Sequence, residues 1–185
     1  MRTKALILVG LITALPAFGQ GTLTFLNTAT AVGGSGAQVT LGGAGVSGTG
    51  FSAQLYAELT AGSFTPIGVP VAFRTGAAAG YVVSSQVAVP GFVAGTSLNI
   101  QMKAWDNAGG TVTSYEAALA GLRAVGFSNT INVGPLGGIP PTGPPITDPN
   151  LTGLTGFALV PIPEPSTYAL LAFGAAALLL RRRKQ

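Results

Sequence analysis

The chain has 185 residues, with nine lysines and arginines, five aspartates and glutamates, and no cysteine or histidine. Six of the nine cations lie within the first four or last five positions. Residues 21–160 have a net charge of −1, from three cations (Arg74, Lys103 and Arg123) and four carboxylates (Glu58, Asp106, Glu116 and Asp148). This composition excludes disulfides, histidine-based hydrolase triads and nearly all zinc and haem sites, and it leaves no basic surface for nucleic acid.

The first 19 residues have the features of a secretory signal peptide. Arg2 and Lys4 precede an apolar run at residues 5–15, and Ala17 and Gly19 supply small residues at the −3 and −1 positions of a cleavage site. We therefore expect export through the inner membrane and cleavage that leaves a mature chain starting at position 20.

Residues 20–160 form a passenger region that is rich in glycine and β-branched residues. Apolar and polar residues alternate in short stretches, with breakers such as Pro66 and Pro90-Gly91 between them. This pattern predicts an all-β fold, an antiparallel β-sandwich of the jelly-roll or immunoglobulin-like type. The predicted strands are residues 22–26, 51–59, 69–73, 81–89, 98–104, 129–133 and 156–160.

A glycine-rich stretch and one helical stretch interrupt the strands. Residues 43–48 (GAGVSG) have the G-x-G-x-x-G spacing, but a strand pattern follows and no acidic residue lies near position 68, so we predict a hairpin loop and no nucleotide cofactor. Residues 115–125 predict a short crossover helix, with Ser114 as its cap and Gly126 as its stop.

The passenger offers few candidates for chemistry. A glycosidase needs two carboxylates across a cleft, whereas each of the four carboxylates is placed as a solvated residue. Asp106 and Asn107 are too few oxygen ligands for calcium. We therefore expect a non-enzymatic passenger without catalytic residues, metal or cofactor.

Trp105 is the sole tryptophan. It alternates away from Met102 and Ala104, onto the strand face that carries Lys103. Two alternatives remain for its ring. If exposed, it stacks on a sugar; if buried under the turn at residues 107–110, it is structural.

Nine of the 13 prolines fall between positions 135 and 165. Residues 135–149 predict a proline-rich loop. In one interpretation the domain ends near Val133 and a flexible stalk follows; in the other, residues 154–160 return as a final strand. The strand is favoured because Phe157 and Leu159 share a strand face, which a stalk does not require.

The tail, residues 161–185, combines a proline-flanked glutamate with an apolar run. Residues 167–180 predict a membrane helix, although the 13 uncharged residues from position 168 span only ~20 Å at ~1.5 Å each, against a hydrocarbon core of ~30 Å. The cations after it predict a stop-transfer signal on the cytoplasmic side. The tail's candidate residues are the tripeptide Pro163, Glu164 and Pro165 and the cations Arg181, Arg182, Arg183 and Lys184.

This order of tripeptide, apolar helix and cations resembles the PEP-CTERM sorting signal of Gram-negative bacteria. The resemblance implies that Pro163, Glu164 and Pro165 are recognised by a membrane-embedded exosortase and that the helix is a temporary anchor. The competing interpretation is an ordinary single-pass anchor. A short helix suits a disposable signal better than a permanent one.

Two functions follow as hypotheses. The first is an exported, non-enzymatic protein of the cell envelope or extracellular matrix, anchored transiently and then placed at the cell surface or outside the cell. The second is a carbohydrate-binding module that holds exopolysaccharide through Trp105 and neighbouring tyrosines. The expected partners are the inner membrane, an exosortase and, in the second hypothesis, exopolysaccharide, with no nucleic acid.

Overall fold

A computed structural model of the chain describes residues 19–28 and 36–163. Their regular secondary structure is mostly β-strand with one α-helix, which confirms the all-β class with a short helix. The elements are β1 (Gln20–Phe25), β2 (Val39–Leu41), β3 (Ala44–Gly45), β4 (Phe51–Thr60), β5 (Ser63–Ala72), β6 (Ser85–Val93), β7 (Leu98–Asp106), α1 (Tyr115–Ala120), β8 (Val125–Phe127), β9 (Ile131–Val133) and β10 (Phe157–Leu159).

Within those two stretches, no helix is long and apolar enough to span a membrane. The predicted membrane helix at 167–180 lies outside the described residues, as does the predicted signal peptide apart from Gly19.

The largest sheet has the order β5-β4-β7-β8, and β9 pairs with β7 beside β8. All of its pairings are antiparallel. Ala53 lies opposite Ala104 and Leu55 opposite Met102, so the apolar faces predicted for β4 and β7 coincide. These four side chains are fully buried.

Two smaller sheets complete the domain. β1 pairs antiparallel with β6, and β10-β2-β3 forms a three-stranded sheet. The β10–β2 pair is parallel, unlike the antiparallel arrangement expected, because a long connection separates the two strands in the chain. One hydrophobic core joins the three sheets, with buried side chains that include Leu23, Phe25, Val39, Leu55, Val89, Ile100, Met102 and Leu159.

Pro66 and Pro90, predicted to separate strands, instead lie inside β5 and β6. β5 is at the edge of its sheet, where a residue without an N–H is tolerated. In β6 the register against β1 shifts between Val89 and Val93, so the Pro90 segment occupies a bulge.

The helix is shorter than predicted. Ser114 caps it as expected, since its Oγ accepts a hydrogen bond from the Ala117 N–H at 3.1 Å. It ends at Ala120 rather than at residue 125, so Gly121 takes the place predicted for Gly126, and Leu122 has already left the helical region, with φ of 54°. Gly126 belongs to β8, where an added Cβ would lie 2.5 Å from the Ala158 carbonyl oxygen.

The glycine-rich stretch starts in a β-hairpin. Gly42 and Gly43 join β2 to β3 with φ of 60° and 86°, values that other residues rarely adopt. After the motif, Phe51 opens β4 instead of a helix. A hairpin is therefore present, but its turn is Gly42-Gly43, and Ala44 and Gly45 of the predicted loop belong to strand β3.

The proline-rich loop is docked on the domain. Gly137 and Thr22 exchange two backbone hydrogen bonds, of 2.8 and 3.0 Å, and the Thr24 N–H donates to the Pro149 carbonyl at 3.0 Å. The Asp148 carboxylate accepts bonds from the Thr22 hydroxyl and from Gln86. The flexible stalk is therefore wrong for this segment, and the chain returns as β10.

Candidate functional site

The last strand carries the chain from the core to the start of the tail. Leu159 of β10 is buried in the core, and β10 pairs with β2 on one side. On the other side, Val160 lies against Val125 of β8. Their backbones exchange two hydrogen bonds, one from Val160 N–H at 2.9 Å and one from Val125 N–H at 3.2 Å. The strand thus closes the gap between two sheets.

Ile162 continues this docking beyond the strand. It is half-buried against a second apolar cluster, which lies apart from the main core. Pro161 and Pro163 flank it, and neither has an N–H with which to extend the β-ladder. We call residues 160–162 the docked segment. The second cluster consists of Tyr56, Trp105, Tyr115, Ala118 and Val125.

The fold therefore reaches the predicted tripeptide without an intervening linker. Pro163 is exposed and is the last described residue. Residues 161–184 match the PEP-CTERM protein-sorting motif. The chain carries a PEP-CTERM sorting tail. This motif is consistent with an exosortase substrate, and it implies export and processing by an exosortase at the membrane.

The PEP-CTERM match covers the tripeptide and the terminal cations but not the passenger. No curated protein and no solved structure matches the chain. Glu164, Pro165 and the cluster Arg181, Arg182, Arg183 and Lys184 lie outside the described residues. Their individual roles in recognition and stop-transfer stay predictions.

Trp105 is not available for stacking on a ligand, because its side chain is 0% exposed. Its indole N–H donates to the Val112 carbonyl at 3.1 Å, so its one polar atom is satisfied internally. Tyr115 and Ala118 of α1 pack with it on the outer face of the large sheet. Of the two alternatives, the buried ring is correct, but the residues that pack on it belong to α1, whereas the prediction placed it under the turn at residues 107–110.

Lys103 and Glu116 form a charged group with two tyrosines on the same face of the sheet as Trp105, and this group was not predicted from the sequence. Lys103 Nζ is 4.0 Å from the ring centroid of Tyr56 and 4.8 Å from that of Tyr115. It is also 4.0 Å from Glu116 Oε1, while the Tyr56 hydroxyl donates to Glu116 Oε2 at 3.0 Å. The sequence signal was available, since Lys103 shares the outer strand face with Trp105.

The electrostatics of this group follow from its partial burial. Burial lowers the pKa of Lys103, and the Glu116 charge opposes that effect. Burial raises the pKa of Tyr56 and Tyr115, and Glu116 raises both further. The arrangement fixes α1 on the sheet by pairing charges and aromatic faces.

Two of the other passenger carboxylates stabilise local turns. Glu58 accepts bonds from the Gly62 N–H at 2.6 Å and Asn99 at 2.7 Å, which holds the pKa of its carboxyl below the usual value. Asp106 accepts from the Ala108 N–H at 2.8 Å. The two lie at opposite ends of the β4–β7 pair, so they do not form a catalytic pair. The described part of the chain has no metal-binding group of three such residues.

Proposed function

We propose that the chain is an exported, non-enzymatic protein of the cell envelope or extracellular matrix whose tail is removed by an exosortase. The match of residues 161–184 to the sorting motif carries this proposal. After processing, the passenger stays at the cell surface or outside the cell. Its fold is proposed to be a β-sandwich of the jelly-roll or immunoglobulin-like type, because its three sheets share one core.

The non-enzymatic role is supported by the structural hydrogen bonds that the acidic residues accept. Glu58, Asp106 and Asp148 accept hydrogen bonds that hold turns and loops, and Glu116 ties α1 to Tyr56. With no histidine or cysteine in the chain, general-base and nucleophilic chemistry have few side chains left to use.

The carbohydrate-binding alternative is not proposed at Trp105, because that ring is buried. The purified passenger is expected to give no signal on a glycan array that includes bacterial exopolysaccharides. A specific signal would require an enclosed or surface site built from other residues and would revive the alternative.

Sorting is tested by replacing the tripeptide Pro163, Glu164 and Pro165 with alanines. In a strain that has the exosortase, the parent chain is expected to be shortened and the triple variant to stay full-length in the inner-membrane fraction. The matched control replaces Pro144 and Pro145 with alanine, since both are exposed prolines outside the motif. Equal shortening of the triple variant and the parent would show that the tripeptide is not the sorting signal and that the tail is an ordinary anchor.

A further inference from the structure

The position of the docked segment bears on how the tail is processed. Val160 exchanges two backbone hydrogen bonds with Val125, and Ile162 packs on the second cluster. Only Pro163 separates Ile162 from Glu164. The tripeptide thus begins, at the exposed Pro163, one residue after the docked segment.

A protease takes its substrate as an extended strand whose backbone groups are free. The Val160 backbone groups are already used by β8, and the neighbouring side chain of Ile162 is partly covered. Cleavage of a folded protein then depends on the population of a locally opened form. A docked strand beside the cleavage site lowers that population.

We propose that the passenger restrains its own processing: residues 160–162 detach from β8 and from the second cluster before the exosortase acts on the tripeptide. This inference rests on the proposed function. Val160 and Ile162 are positioning residues for that reaction, because they set the free length of chain between the domain and the enzyme. They do not touch the reacting bond.

The restraint is short enough to open reversibly. Pro161 and Pro163 cannot donate hydrogen bonds, so the ladder with β8 ends at Val160. Ile162 is only half-buried, and Val160 itself is 62% exposed. The docked segment therefore slows processing without blocking it.

Weakening the contact of the docked segment tests whether tail removal becomes faster. Ile162→Ser removes the apolar contact with the second cluster and is expected to raise the rate of tail removal by about five-fold or more. The matched control is Ile139→Ser, the same substitution at a side chain that is 67% exposed. Its processing rate is expected to equal that of the parent. Rates are measured by pulse-chase blotting of full-length and shortened chains in a strain with the exosortase.

Crosslinking the docked segment to β8 tests whether tail removal then stops. Because Val125 and Val160 exchange both backbone bonds, their Cα atoms lie ~5.5 Å apart, a separation that a disulfide spans. The chain has no cysteine, so Val125→Cys with Val160→Cys gives one defined crosslink. Tail removal is expected to stop in the oxidised double variant and to return on adding dithiothreitol, which leaves the parent rate unchanged.

The outcomes separate this inference from the proposed function. A parent chain that is not shortened even with the exosortase present would contradict the proposed function. A parent chain that is shortened, together with an Ile162→Ser variant or an oxidised double variant processed at the parent rate, would overturn the restraint and leave the proposed function standing.

Discussion

Lys103 Nζ lies 4.0 Å from the ring centroid of Tyr56, on the outer face of two adjacent strands. An ammonium group at this distance is attracted by the negative face of the ring. Glu116 of α1 contacts both partners, accepting a hydrogen bond from Tyr56 and lying 4.0 Å from Lys103. The three side chains fix the helix that covers Trp105, so the passenger's only indole is withdrawn from solvent.

Removing the Tyr56 hydroxyl tests this fixation. Tyr56→Phe keeps the ring under Lys103 but loses the 3.0 Å bond to Glu116, and we expect a loss of about 1 kcal/mol in the free energy of unfolding. Urea unfolding measures it. A double-mutant cycle with Glu116→Ala is the control, and independent, additive losses would show that the two side chains are not coupled.

The raised pKa of Tyr56 leads us to expect a loss of folding stability in alkaline solution. The pKa of Tyr56 is raised in the folded state from its ordinary value of 10.0, so above about pH 10 the unfolded chain releases this proton first and unfolding becomes easier. The lowered pKa of Lys103 acts in the opposite sense, because its buried charge is relieved as pH rises toward 10.5. Urea midpoints between pH 8 and 11 are expected to fall in the parent and to fall less in Tyr56→Phe. An equal fall in both would contradict the assignment.

Trp105 is expected to be structural in solution. Trp105→Ala is expected to cost about 3–5 kcal/mol in the free energy of unfolding, because it removes a fully buried ring from the second cluster. Phe127→Ala is the matched control, since that ring is 59% exposed and its loss is expected to cost about 0.5 kcal/mol or less. A stable Trp105→Ala variant, or tryptophan emission like that of the free amino acid, would contradict burial of the ring.

Asp148 holds the proline-rich loop on the β1–β6 pair. Asp148→Ala removes the acceptor for Thr22 and Gln86. We expect faster cleavage of the loop by an added protease, with the new ends mapped by mass spectrometry to residues 139–147. The control is Thr142→Ala at an exposed position of the same loop. Cleavage of Asp148→Ala at the control's rate would show that backbone bonds alone hold the loop.

Alternation predicted the central strands because the same residues decide both the pattern and the burial. Leu55 and Met102 face each other in the core, and their polar neighbours point the other way. The start of α1 was predicted for a similar local reason, since the Ser114 cap acts within one turn. Phe157 and Leu159 likewise revealed β10 by sharing a face.

Features that depend on distant partners escaped the sequence. Pro66 and Pro90 look like breakers until it is known that one lies on an edge strand and the other in a bulge. The burial of Trp105 depends on a helix that returns across the sheet, which alternation within β7 cannot show. The docked segment was missed because its partner, Val125, is 35 positions away and was assigned to a longer helix.

The intact mass of the mature protein tests the central claim most directly. The protein is purified from the surface and medium fractions of a strain with the exosortase, and its two ends are confirmed by peptide sequencing. A C-terminally sorted, exported protein is expected to begin at or near Gln20 and to lack the terminal cations Arg181 to Lys184. A mature chain that ends at Gln185, with the tripeptide and the cations still attached, would contradict the account.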